Sequence, residues 1–365
     1  MHSHPWISSC LILAALACAC ERDTAADPAR EPDRPAMSEP TAGELLRTES
    51  HLFREMAPGV YFATGSGAVT VESNSLVVVN ADHVVIVDSH VTPDAARALS
   101  SSIEALTDQP VRYLVNTHHH FDHSHGNAAF PPGVVVIGHE ATRERMMGDV
   151  LAEPIYDELG GVEAARSMVR ATESRLARAT DAESKAALEI ELAALRRHVE
   201  AVREVEIRPP DVTLQRRLTL HSGDREIQLL FLGRGHTGGD VVAYLPAEKI
   251  VFTGDLLQPM APYMGDSYPD EWIATLAALE QLDFRWVLPG HGEPFSGSAE
   301  IERFKRFLRA FQAEVRALRE SGHSAEETAA RMELRGWEAY AAWMLALPTV
   351  MELQVRRLYD LEDEG

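Results

Sequence analysis

The sequence predicts an α/β layered fold with its chemistry at the ends of strands, and three observations carry that prediction. Short β-branched runs alternate with amphipathic helical stretches along much of the chain. The runs are bounded by Gly, Asn and Asp turn signals. Histidine and aspartate stand directly after several of them, most densely in "THHHFDHSHGN" at 117–127.

Taken in order, "GVYFATG", "SLVVVNA" and "HVVIVDSH" read as strands from about Met56 onward. A helix follows in "TPDAARALSSSIEAL", with Thr92 as N-cap and Pro93 at the first helical position. "VRYLVNT" and "GVVVIGH" are continuous apolar runs expected to be buried strands, and the histidine cluster leaves the first at its C-terminal end. From 140 to 208 the β signal vanishes. That stretch is rich in Ala, Glu, Arg and Leu at helical spacing, and a capping box from Thr180 to Glu183 divides it into a helical hairpin. Strands resume in "REIQLLFLG", "DVVAYLP", "KIVFTGD" and "RWVLPGH", with a helix over 272–282 between the last two. After Ser298 a helix carries Ile301, Phe304, Leu308, Phe311, Val315 and Leu318 on one stripe.

A chain of 365 residues can bury a sizeable core. Its formal charge of −22 disfavours nucleic acid, whose binding rests on Lys and Arg neutralising phosphates, so a small-molecule substrate is expected instead. The three cysteines, Cys10, Cys18 and Cys20, all lie in the first twenty residues, which leaves the folded body without disulfides or thiolate ligands. Residues 7–19, "ISSCLILAALACA", are too short an apolar run to span a membrane and suit a secretory signal core. Residues 1–20 thus read as a signal peptide. The Ala-Cys ending before a polar linker resembles a bacterial lipoprotein signal, with Cys18 or Cys20 lipidated; plain cleavage after Ala17 or Ala19 and an uncleaved apolar N-terminus are the alternatives. Residues 21–50, rich in Pro, Ala, Asp and Glu, read as a disordered tether. The expected location is exported, in the periplasm or held to a membrane by a lipid anchor.

Within the cluster the spacing is His118-x-His120-x-Asp122-His123. Zinc accepts imidazole nitrogen and carboxylate oxygen, and its catalytic sites keep a position open for water. His118 and His120, two apart on a loop leaving a strand, can chelate one ion, and Asp122 and His123 can reach a second. Four ligands do not close two sites. His236 in "LGRGHTGGD", Asp255 in "VFTGD" and His291 in "VLPGHGEP" each follow a strand beside glycines that let the backbone bend sharply.

H-x-H-x-D-H, followed by these three motifs, resembles the metallo-β-lactamase-fold hydrolases, which include glyoxalase II, lactonases and the zinc β-lactamases. The likeness runs from about Val60 to Phe295. It implies an αββα sandwich over 51–297; the helical insertion 140–208 and the helices of 298–365, read from the residues, are not part of the shared core. It also implies a ligand set: His118, His120 and His236 on one metal, Asp122, His123 and His291 on the other, and Asp255 bridging. The metals implied are two Zn²⁺, with Fe or Mn as substitutes, sharing a bridging hydroxide that attacks an ester, thioester, lactone or lactam. Asp122 would orient that hydroxide and relay its proton, and Asp88 of "VVIVDSH" would support the site from behind the ligands. The zinc β-lactamases generally lack an aspartate at the position of Asp255, which tilts the reading away from a dedicated lactam hydrolase. Other readings are a lactamase-type enzyme, a mononuclear iron dioxygenase of the same fold, and a non-catalytic periplasmic metal-binding protein. Tyr263 and Trp272 are candidates for an apolar substrate wall. His119 and His125 are expected to be neighbours of the site rather than ligands, and His83, His90, His139, His198 and His221 ordinary surface or loop residues.

Overall fold

The computed structural model describes residues 45–364. Cys18, Cys20, the signal segment and most of the expected tether lie outside them. The first sheet has eight strands in chain order: β1 (Leu45–Arg47), β2 (His51–Ala57), β3 (Val60–Gly65), β4 (Ser75–Val79), β5 (Val84–Val87), β6 (Val111–Val115), β7 (Val135–His139) and β8 (Val212–Leu214). It is antiparallel as far as β5 and parallel from β5 to β8. Strand β1, paired with β2 through Leu46 and Phe53, corrects the expectation of a disordered tether up to residue 50.

The second sheet runs β14-β13-β12-β11-β10-β9, from β9 (Arg217–Ser222), β10 (Arg225–Phe231), β11 (Val241–Leu245), β12 (Ile250–Gly254), β13 (Trp286–Pro289) and β14 (Phe295–Ser296). Each sheet repeats one plan, an antiparallel meander followed by a helical crossover to a parallel strand. The crossovers are α1 (Pro93–Glu104), between β5 and β6, and the helix at Pro269–Leu279, between β12 and β13.

Alternation along the strands explains the layers. Val85 and Val87 of β5 face Phe252 and Leu288 of the other sheet, in a core lying between the two. Their neighbours Val84 and Ile86 point the other way, onto Ala96, Leu99 and Ile103 of α1. The far face of the second sheet, at Val242, Val251 and Val287, is covered by two helices. They bring Leu276 and Leu279, and Phe304, Phe307 and Phe311 from Ala299–Glu320. Helix, sheet, sheet and helix are thus stacked as the resemblance implied.

The remaining helices in chain order are α2 (Phe121–Ser124), α3 (Glu140–Met147), α4 (Val162–Arg178) and α5 (Ala182–Val202). After them come α6 (Pro269–Leu279), α7 (Ala299–Glu320), α8 (Ala325–Ala329), α9 (Ala342–Leu345) and α10 (Pro348–Glu364). The hairpin is α4–α5, joined by its own cluster of Ala165, Val199 and Val202. Its second helix is capped by Asp181, whose carboxylate accepts the Ser184 N–H, and not by Thr180; the helix begins at Ala182, one residue later than a cap at Thr180 requires. No helix among the described residues is long and apolar enough to cross a membrane.

Candidate metal centre

The strand ends converge on one edge of the sandwich. β6 stops at Val115, and the chain turns through Thr117, whose N–H and hydroxyl both donate to the Asp88 carboxylate at 2.8 Å. Asp88 stands just past β5 at φ 67°, a left-handed conformation that side chains rarely adopt. Its second oxygen meets Nδ1 of His123 at 2.7 Å and so turns Nε2 of that ring into the site. Two glycines permit the approach. A Cβ on Gly254, at φ 52°, would lie 2.5 Å from the Thr117 hydroxyl, and one on Gly290 would lie 2.4 Å from an Asp255 oxygen.

All seven residues expected from the sequence come together here. His118, His120 and His236 form one group whose ligand-type atoms lie within 4.8 Å of one another, and Asp122, His123 and His291 form another. Nε2 of His236 is 2.9 Å from Nδ1 of His120. Asp122 Oδ2 is 3.0 Å from His291 Nε2 and 3.2 Å from His123 Nε2. Asp255 lies between the groups, 3.3 Å from His123, 3.4 Å from His291 and 3.7 Å from His236.

The donor set fits divalent metal on two counts. Nε2 of His118, Nε2 of His123 and Oδ1 of Asp255 are buried and make no hydrogen bond, an expensive arrangement for three polar atoms aimed at a common point. Burial also holds His118 well below the ordinary histidine range and His236 down to about 3, which keeps both imidazoles in the neutral form that binds metal. Asp122 and Asp255 are held low despite their burial, because His123 and His291 lie beside them. The same contacts outweigh burial and push those two histidines up. Two buried carboxylates here demand positive charge.

Around the centre stand the expected neighbours His119 and His125, together with Asp266, Glu153, Arg145, Asp240 and Glu72, which sequence reasoning missed. Asp266 accepts from Nε2 of His120 at 2.8 Å, fixing the ring so that Nδ1 points inward. Behind it Glu153 pairs with Arg145 at 2.6 Å. His119 turns to this side, 3.7 Å from Glu153 and 3.9 Å from Asp266. His125 packs against Tyr156 and Phe121. Asp240, which takes the Thr237 N–H and hydroxyl in the turn after His236, is pushed up to about 7 by burial. Glu72, in the loop before β4, is pushed up to about 8 by burial and by Asp122.

Two expectations are corrected. Trp272 is no substrate wall: it is fully buried, its indole N–H donates to the Leu256 carbonyl at 2.9 Å, and its ring packs on Phe304. Tyr263, by contrast, sits beside the His120 ring with a centroid distance of 5.8 Å. His83, His90 and His198 are buried rather than superficial, and His90 Nε2 lies 3.1 Å from that of His51. His221 is exposed, and His139 caps α3 through the Ala141 N–H.

Known proteins resemble this chain over part of its length. A metallo-beta-lactamase type 2 from Bacteroides fragilis is 31% identical over 100 residues, covering 26% of this chain and 40% of that protein. A linear primary-alkylsulfatase from a Pseudomonas species is 25% identical over 235 residues, covering 62% of this chain and 42% of that one. The chain thus spans about two-fifths of the length of these curated relatives. A solved metallo-beta-lactamase from Erythrobacter litoralis is 18% identical with a TM-score of 0.49, covering 73% of this chain and 99% of the other. The family model of the metallo-beta-lactamase superfamily matches residues 69–291, from just before Glu72 to the last of the seven converging side chains. With well over half its length inside that match, the chain is a member of the metallo-beta-lactamase superfamily.

Proposed function

We propose that the protein is a dinuclear zinc-dependent hydrolase that cleaves an ester, thioester, lactone or lactam. The observation that carries this reading is Asp255, placed between two groups of three ligand-type residues and within 3.7 Å of histidines from both. His118, His120 and His236 would hold one ion, Asp122, His123 and His291 the other, and Asp255 both. Bound there, two cations supply Lewis acidity for the scissile carbonyl and a water acidified toward neutral pH. Asp122 keeps an anionic oxygen at the centre to take up a proton, and Asp88 and Asp266 hold the His123 and His120 rings in their tautomers. Tyr263 forms part of the wall above His120. An exported, lipid-tethered location belongs to the same proposal.

The likeness to an alkylsulfatase supports a second reading, sulfate-ester cleavage on the same centre. A panel of p-nitrophenyl ester, thioester, lactone, chromogenic lactam, phosphodiester and dodecyl sulfate, run on zinc-loaded protein, separates the readings. Turnover of a carbonyl substrate is expected. Turnover of dodecyl sulfate alone moves the assignment to sulfate esters, and one iron per chain with oxygen consumption replaces hydrolysis with oxygenation.

The hold of Asp266 on His120 has a measurable consequence. Asp266→Ala is expected to weaken zinc binding about 10- to 100-fold, the usual effect of removing a carboxylate behind a ligating histidine. Competition with a chromophoric chelator reads this directly, and an unchanged affinity would show that His120 needs no such support.

A further inference from the structure

The loop 66–74 between β3 and β4 is held from both sides. On the metal side, the Ser73 hydroxyl donates to the Asp122 carbonyl. The Asn74 N–H donates to the Gly290 carbonyl at 2.7 Å, and its amide donates to the carbonyls of Pro289 and Gly292 at 3.1 and 3.0 Å, on either side of His291. On the other side stands α5 of the hairpin. Arg197 donates to the Ala68 carbonyl, and His198 Nε2 comes within 3.4 Å of Glu72 Oε1.

Glu72 is an unusual residue to find clamped there. Its φ of 64° is a conformation that glycine adopts freely and a glutamate only at a cost. Its side chain is 13% exposed, and Oε1 is buried without a hydrogen bond, since the His198 contact lacks the alignment for one. The carboxyl is close enough to Asp122, His291 and Tyr156 to interact with them electrostatically. An acid strained in its backbone, with a buried oxygen that makes no hydrogen bond, beside a cation site is poorly explained by packing.

We infer that the helical hairpin is a specificity element: through Arg197 and His198 it fixes the 66–74 loop so that the Glu72 carboxyl receives a hydrogen-bond donor carried by the substrate. The donor is a hydroxyl, amide N–H or ammonium group on the side of Asp122 and His291. Glu72 contacts the substrate; His198 is a positioning residue that acts through it. The inference rests on the hydrolase reading, which it deepens by naming a substrate feature, and it disfavours substrates with an anionic group at that point.

The test compares p-nitrophenyl butanoate with its 2-hydroxy, 3-hydroxy and 3-amino derivatives on zinc-loaded protein. At least one donor-bearing ester is expected to be favoured over the parent, mainly through KM. In Glu72→Ala that preference in kcat/KM falls about tenfold or more, the cost of leaving the substrate's buried donor without a partner. Glu72→Gln, which keeps an acceptor oxygen, retains part of it, and His198→Ala lowers it with a smaller effect. Melting temperature and zinc content confirm that the variants are folded and loaded. A preference that is absent in the parent protein, or that survives Glu72→Ala, overturns the inference while leaving the hydrolase reading intact. Should the parent protein cleave none of these esters, the hydrolase reading is what suffers. Calorimetric titration with 3-hydroxybutanoate, 3-aminobutanoate and butanoate then decides: tighter binding of a donor-bearing acid that Glu72→Ala abolishes supports the inference, and equal binding refutes it.

Discussion

Replacing Asp122 with Asn is expected to lower kcat about 10²- to 10⁴-fold on whichever substrate the protein turns over best, the range for removing a positioned proton acceptor. The substitution keeps the size and shape of the side chain, so the turn from Phe121 to Ser124 survives. What is lost is the negative charge 3.0 Å from His291 and 3.2 Å from His123. Removing that charge also weakens the group of three that Asp122 shares with those histidines, while His118, His120 and His236 remain as they are. Zinc content is therefore expected to fall from two toward one per chain as activity falls. Measuring both on the same preparation separates the roles: full metal with lost turnover assigns Asp122 to proton handling alone. Undiminished turnover with both metals retained would remove Asp122 from catalysis.

What could be read from the sequence was whatever is local. His118, His120, Asp122 and His123 declare themselves by spacing on one loop. His236, Asp255 and His291 do so by standing after a strand beside a glycine that the close approach requires. The layers follow from alternation, since Val85 and Ile86 are adjacent in sequence yet belong to different cores. Residues whose meaning depends on a distant partner left no such mark. Asp266 meets His120 across 146 positions, and Glu72 meets His198 on a hairpin that has no motif of its own. Trp272 and Tyr263 lie nine positions apart in the same loop-to-helix segment, and only tertiary packing puts one in the core and the other by the site. The buried histidines are a similar case, because imidazole has no fixed preference for surface or interior and goes wherever a partner such as His51 or His90 is found.

Loading the metal-free protein with zinc is expected to raise its melting temperature by about 10 °C. The four layers enclose a core that needs no metal, so the apoprotein should fold, but its centre is costly as it stands. His118 Nε2, His123 Nε2 and Asp255 Oδ1 are desolvated without partners, and two carboxylates are buried with only imidazoles to balance them. A ligand that binds the folded state alone, present at about 1,000 times its dissociation constant, adds roughly 4 kcal/mol of stability. Two such sites add roughly 8 kcal/mol, and for a chain of this size each kcal/mol moves the melting point by about 1–2 °C, which gives the expected shift. Differential scanning calorimetry on dialysed and zinc-loaded samples measures it. The double variant His118→Ala/His236→Ala should lose about half of the effect, because it dismantles one group of three and leaves Asp122, His123 and His291 in place. If zinc binds stoichiometrically yet the melting point does not move, the unpaired atoms are satisfied at no cost without metal. The burial argument that assigns them to the centre would then fail, even with the fold intact.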